Sequence, residues 1–111
     1  MNRLTHAVAY SKAAYRSRVG RAAFVYLISC HDFVKVGISD DPEFRLITLQ
    51  VGCPYELRVL AVFKSMNALQ DEARLHQLWK RYEVRGEWFK VPESELSFVA
   101  GAISLEMVFA K

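Results

Sequence analysis

Cysteine, proline and glycine are all scarce in this 111-residue chain, and each scarcity closes a class. Two cysteines, Cys30 and Cys53, make neither a disulfide framework nor a C-x-x-C pair. Five glycines and three prolines exclude collagen-like and low-complexity chains. The glycines are isolated, so there is no phosphate-binding loop, and no nucleophile elbow occurs either. The longest uncharged apolar stretch, from Leu96 to Leu105, is too short to span a bilayer. No basic-then-apolar leader opens the chain, so a reducing cytoplasmic location and no membrane partner are expected. Membrane, secreted and fibrous classes drop out. At 52% hydrophobic and 24% charged, the chain has the composition of one globular domain with one core.

Acid is missing altogether from residues 1–21, which carry Arg3, Lys12, Arg16, Arg18 and Arg21. The remaining residues are net acidic, although the whole chain is +3. The division is therefore a basic arm, 1–21, on a nearly neutral domain, 22–111. Such an arm either contacts a polyanion or serves solubility alone.

An alanine-rich stretch from Leu4 to Tyr15, with Thr5 as cap, predicts a short helix, and Arg16–Arg21 a hinge. Ala23–Cys30 is β-branched and aromatic and predicts a strand. His31, Asp32 and Phe33 make a turn into a second strand, Val34–Ile38, so the two form an antiparallel hairpin. Asp41-Pro42 is a helix start, with Gly52 and Pro54 ending that helix after Val51. Glu56–Lys64 is a third strand. Ser65 or Asn67 caps a long helix reaching about Tyr82. A short strand over Gly86–Val91 and a last helix from Pro92 to about Phe109 complete a β-β-α-β-α-β-α order, an α+β fold.

Two helices carry charges in unusual places. The 42–51 helix is apolar nearly all round: Phe44, Ile47 and Val51 share one side, with Leu46 and Leu49 opposite. It is expected to be covered on most sides, with Arg45 in a cleft against an anion, either a structural carboxylate or a ligand phosphate. On the 67–82 helix, Ala68, Leu75, Leu78, Trp79 and Tyr82 form the apolar arc. Glu72 and His76, four residues apart, lie on its core-facing flank. They read either as a hydrogen-bonded structural couple or as a metal ligand beside a general acid or base. Cys30, His31 and Cys53 lack zinc-ligand spacing and read as buried thiols beside a turn histidine.

Taken in order, Phe24-Val25-Tyr26, Lys35-Val36-Gly37, Arg45, Glu72, Leu75-His76 and Gly86-Glu87-Trp88-Phe89 resemble the GIY-YIG nuclease superfamily. They resemble in particular its phage- and bacteria-associated branch, in which lysine replaces the second motif's tyrosine. The resemblance covers residues 23–91; Phe24-Val25 stands where the family has glycine-isoleucine. It implies a small antiparallel or mixed three-stranded sheet flanked by helices, with a further short strand and a C-terminal helix. It also implies a metal-dependent endonuclease cutting phosphodiester bonds in DNA, or an inactive nucleic-acid-binding or regulatory module on the same fold. In those terms Tyr26 lies next to the attacking water, and Lys35 holds that water or a phosphate oxygen. Arg45 neutralises the scissile phosphate, and Glu72 is the one protein ligand of Mg²⁺ or Mn²⁺. His76 supports that site or contacts the scaffold. Tyrosine, with an unperturbed pKa of ~10, needs a cation beside it to act as a base, supplied by Lys35 or the metal. The basic arm would add DNA contacts, and the lack of a separate recognition domain favours weak sequence specificity, or dependence on a homodimer or a protein partner. The Leu96, Val99, Ile103 and Met107 stripe of the last helix packs either on its own sheet or on such a partner.

Overall fold

Ala23–Cys30 (β1) and Phe33–Ser39 (β2) pair in antiparallel register from Phe24↔Ser39 to Cys30↔Phe33, leaving a two-residue turn. His31 takes φ 55° in that turn, a left-handed conformation that few non-glycine residues adopt. Its ring packs edge-on against Tyr55, with centroids 4.0 Å apart. The computed structural model describes residues 23–110. The helix expected over Leu4–Tyr15 and the arm residues Arg3, Lys12, Arg16, Arg18 and Arg21 lie outside the described residues.

Arg58–Ser65 (β3) pairs antiparallel with the other side of β1, with a register shift at Leu27/Ile28. Two further strands, Glu83–Arg85 (β4) and Trp88–Phe89 (β5), form a small hairpin whose β5 joins β2 at Val34↔Phe89 and Lys35↔Trp88. The result is one five-stranded antiparallel sheet in the order β3-β1-β2-β5-β4, not a three-stranded one. The strand expected over Gly86–Val91 is present but shortened to Trp88–Phe89, and Gly86, at φ 56°, turns the chain between it and β4, which the sequence reading did not place.

Alternation along β1 divides the core. Val25 and Leu27 face a cluster with Val34, Val36, Leu75, Trp79, Phe89, Val99 and Val108. Tyr26 and Ile28 face the other way, toward Leu46, Leu49, Leu57 and Trp88. Each fully buried Leu, Ile or Phe in such a core contributes ~1.5–3 kcal/mol by leaving water. Pro42–Val51 (α1) covers the Tyr26 face. Ala68–Leu78 (α2), Glu93–Ala100 (α3) and Leu105–Phe109 (α4) cover the other.

Capping sets both helices that matter. Asp41 accepts the amide of Phe44 at 3.2 Å, and its own amide donates to the Ser39 hydroxyl at 2.9 Å, which aims α1 off the end of β2. Gln50 ties the other end of α1 to the following loop, accepting from the Leu57 amide and donating to the Tyr55 carbonyl. Asn67 caps α2, and the buried Ser65 hydroxyl donates to Asp71 at 2.7 Å while accepting the Asn67 amide.

Three expectations change. Helix α1 is not covered on most sides: Phe44, Ile47 and Val51 are 62%, 56% and 84% exposed, and only its Leu46/Leu49 side meets the sheet. The helix after Asn67 stops at Leu78, followed by a 3-10 turn over Lys80–Tyr82, and Leu78 is exposed. The last helix breaks at Gly101, whose amide bonds back to Ser97, and restarts after the extended Ser104. Val99 is buried in the core while Ile103 and Met107 face outward, so the four residues are not one stripe.

Candidate functional site

Tyr26 sits at the centre of β1, fully buried, directly opposite Gly37 on β2. The glycine is a steric requirement. A β-carbon there would stand 2.6 Å from Tyr26 Cζ and closer still to its hydroxyl oxygen. The hydroxyl has no hydrogen-bond partner in good geometry, and Arg45 lies beside it from the first turn of α1. Burial pushes the Tyr26 pKa up, and Arg45 only partly offsets this, so the phenol is neutral at physiological pH. The cation at Tyr26 is thus Arg45, where the motif reading offered Lys35 or a metal.

Arg45 departs from expectation in a second way. It is exposed, and among the described residues it has no carboxylate partner. The structural-carboxylate reading therefore falls, and the guanidinium stands open to an outside anion.

Because β5 pairs with β2 only as far as Lys35, the strand beyond Val36 has no neighbour on that side among the described residues. The Val36 amide donates to the Glu87 carbonyl at 3.0 Å, and past that point the edge is bare. Groups from both layers meet at this edge: Arg45 from α1, and Glu72 and Glu87 from the other side, all acting on the same Tyr26 hydroxyl. Lys35, with a side chain only 14% exposed, donates to Glu87 Oε1 at 2.8 Å and lies 5.6 Å from the centre of the Trp88 ring.

Glu72 is on the core-facing flank of α2, its side chain 12% exposed. Burial and the neighbouring Glu87 carboxylate push its pKa up, while His76 and Lys35 draw it partly back. The Glu72 carboxylate, whose hydrogen-bonding neighbour is the Glu87 carboxyl, receives no hydrogen bond from a basic side chain among the described residues. His76 Nε2 is 3.8 Å from it, too far for one, and donates instead to the Val36 carbonyl at 3.0 Å. The His76 ring also packs edge-on against Phe89. Of the two roles open to His76, the geometry gives it the scaffold contact: it satisfies a carbonyl on the bare edge of β2.

Tyr26, Lys35, Arg45, Glu72 and His76 thus come from four elements, with Arg45 and Glu72 acting on the Tyr26 hydroxyl, His76 bonded to Val36, and Lys35 acting on Glu72. Glu87 joins them without having been assigned a role from sequence. Its signal was the Gly86-Glu87-Trp88 turn, which places an acid one residue before the strand that pairs with Lys35. A groove of about 610 Å³ bounded by Arg74, Leu78, Phe98 and Phe109 lies on the outer side of α2 and shares no residue with this cluster.

The two cysteines take no part. Both are free thiols, with Sγ atoms 3.8 Å apart, and burial and Cys53 push the Cys30 thiol pKa up. No group of three or more His, Cys, Asp or Glu side chains placed to cage a metal occurs among the described residues. Replacing both cysteines by serine is expected to leave any metal-dependent activity at wild-type level. Stoichiometric zinc in the purified protein, lost in that double variant, would contradict this.

No described helix is long and apolar enough to cross a membrane. Comparison with curated proteins and with solved structures returns no match. The sequence pattern of one family, the T5orf172 domain, does match, over residues 23–104, which takes in all five strands and every residue of the cluster. The match is to this pattern and not to a GIY-YIG one. The chain belongs to the T5orf172 domain family, a phage-associated domain.

Proposed function

We propose that this domain is a metal-dependent endonuclease of the GIY-YIG type that hydrolyses phosphodiester bonds in DNA. The observation that carries the reading is the pairing of an open arginine with a mostly buried carboxylate that no basic side chain hydrogen-bonds, at a sheet edge left bare among the described residues. A structural role would have joined Arg45 to a carboxylate. Instead the cation stands free beside Tyr26, and the acids stand apart from it.

The donor chemistry at Glu72 fits Mg²⁺ or Mn²⁺, which favour carboxylate oxygen and keep several waters. Glu72 would hold that ion, and the ion would supply charge stabilisation to the phosphoryl and leaving oxygens. Arg45 presents a planar, permanently charged fork to the same phosphate, suited to two parallel hydrogen bonds. The neutral Tyr26 hydroxyl orients Arg45 and offers it a dipole instead of a competing charge. Lys35, held by Glu87 and Trp88, adds positive potential along the path of the phosphate backbone. His76 ties α2, which bears Glu72, to β2 through the Val36 carbonyl. The T5orf172 membership supports a phage-type, nuclease-related reading, and the basic arm supports a polyanionic substrate.

Nicking of supercoiled plasmid, branched DNA and single-stranded DNA with Mg²⁺ or Mn²⁺ tests the proposal. Wild type should cut at least one of these. Arg45→Ala should lose ~3 kcal/mol of transition-state stabilisation, about a hundredfold in rate. Removing residues 1–21 should instead weaken DNA binding and flatten its salt dependence, because fewer counterions are released. A wild-type protein that binds DNA but cuts none of the substrates would make this a binding module on a nuclease-like fold.

A further inference from the structure

The chain has only two cysteines, and the fold brings them together. Cys30 ends β1 and Cys53 follows α1, 23 residues on, yet their Sγ atoms stand 3.8 Å apart. Both side chains are partly exposed, so a small reagent can reach them, and both pack on the layer of Tyr26, Ile28 and Leu57. Thiols that only fill space have no reason to meet, since any small apolar side chain would serve.

A second contact runs alongside the first. The ring of His31, next after Cys30, stacks edge-on with that of Tyr55, two residues beyond Cys53. Cys30 is paired with Phe33 in the β1–β2 ladder, and the Cys53 amide donates to the Gln50 carbonyl at 3.1 Å. Gln50 also holds the Tyr55 carbonyl and the Leu57 amide. The backbone is thus held on both sides of the gap. Side-chain rotation is the main motion left to bring the sulfurs to a bonding distance of ~2.05 Å.

What the pair encloses gives the contact its consequence. Residues 31–52 hold β2 and α1, with Lys35, Gly37 and Arg45 among them. Helix α1 meets the sheet mainly through Leu46 and Leu49, so little apolar area keeps Arg45 beside Tyr26.

We propose that Cys30 and Cys53 form a reversible disulfide that locks α1, and with it Arg45, onto the Tyr26 face when a small disulfide oxidant is present. One cysteine thiolate attacks a sulfur of the oxidant, here oxidised glutathione, and expels one glutathione thiolate. The other cysteine thiolate attacks the mixed disulfide, forms the Cys30–Cys53 bond and expels the second glutathione. The two cysteine protons end on the two released thiols, and the two electrons the protein gives up reduce the oxidant. Burial and Cys53 keep the Cys30 thiol protonated, so closure is slow at neutral pH. The bond stands on the geometry alone, while its control of a phosphate-binding Arg45 rests on the endonuclease reading above.

Incubating the full chain with oxidised glutathione, then with dithiothreitol, tests the proposal without any turnover. Intact mass should show the loss of two hydrogens, and peptide mapping a Cys30–Cys53 bond within one chain. Closing a loop of this length restricts the unfolded chain, so the oxidised protein should melt at least ~5 °C higher, reversed by dithiothreitol. Amides of α1 should exchange more slowly in the oxidised form. Cys53→Ser should instead take up one glutathione at Cys30, with no rise in melting temperature. Two glutathiones per wild-type chain, or bridges between chains with no internal bond, would overturn the proposal. An internal bond that leaves both the melting temperature and α1 exchange unchanged would overturn it too, because α1 would not be locked. Plasmid nicking is read separately: a wild type that cuts nothing while the bond forms and α1 stiffens supports the lock and sinks only the endonuclease reading.

Discussion

Glu72→Gln is expected to abolish metal-dependent cleavage, by roughly 10³-fold or more, and in the same protein to raise the melting temperature measured in chelator at neutral pH. The two effects share one cause. The amide keeps the shape of the side chain but removes the charge that draws in a cation. That same charge sits on a side chain 12% exposed, against the Glu87 carboxylate. A carboxyl whose pKa is higher in the folded than in the unfolded chain binds its proton more tightly when folded. It therefore favours the fold at low pH and loses that contribution as pH rises through its elevated pKa. The advantage of the glutamine variant should be full once Glu72 has ionised and should fade as the pH falls back through that range. Melting curves in EDTA at acid and neutral pH measure it. Superimposable curves at every pH would mean that the carboxylate is well solvated, removing a main reason for placing a cation there.

Of the described glycines, Gly37 should be the one least able to accept a methyl group, so Gly37→Ala should be strongly damaging. At an ordinary strand position alanine is worth ~0.5–1 kcal/mol over glycine. Here the sign reverses, because the new carbon meets a fully buried tyrosine ring with no room to move. Overpacking costs of ~1–3 kcal/mol apply, and the group displaced is the one that orients Arg45, so activity should fall with stability. Combining Gly37→Ala with Tyr26→Phe is expected to recover only part of the loss, since the ring carbon stays 2.6 Å from the added methyl. Denaturant unfolding of the three variants checks this, and an alanine variant as stable as wild type would show that β1 and β2 can shift apart.

What was legible in the sequence and what was not divide along physical lines. The hairpin of β1 and β2 and the Asp41-Pro42 helix start rest on local chemistry, and both appear where expected. Tyr26, Lys35, Arg45, Glu72 and His76 could be named because ordered motifs survive in the linear chain. Their partners could not, because those are set by packing between distant elements. Nothing local to Arg45 says that Phe44, Ile47 and Val51 stay outside, leaving the arginine uncovered. Nothing local to Glu87 says that a turn fifteen residues after Glu72 returns to it. The Gly101 break was misread for a related reason. It interrupts a segment whose apolar periodicity continues on either side, and periodicity alone carries a prediction straight through it.

The width of the sheet varies in a way that bears on how a long polymer reaches the edge of β2. Strand β1 is paired along its length on both sides, whereas β5 meets β2 at two positions and β4 meets only β5. Proteins open in cooperative pieces, and the pieces held by the fewest ladder bonds open at the lowest cost. Phe89, buried against Trp79, pins one end of the small ribbon, while Glu83–Arg85 is exposed throughout. The amides of the ribbon should thus exchange with solvent through local opening, and those of β1 only when the whole domain unfolds. The wall of the charged edge that bears Glu87 is held to β2 by few backbone bonds, among them that of the Val36 amide to the Glu87 carbonyl. On the proposed reading a continuous strand would enter from the side, where the sheet is held by the fewest ladder bonds.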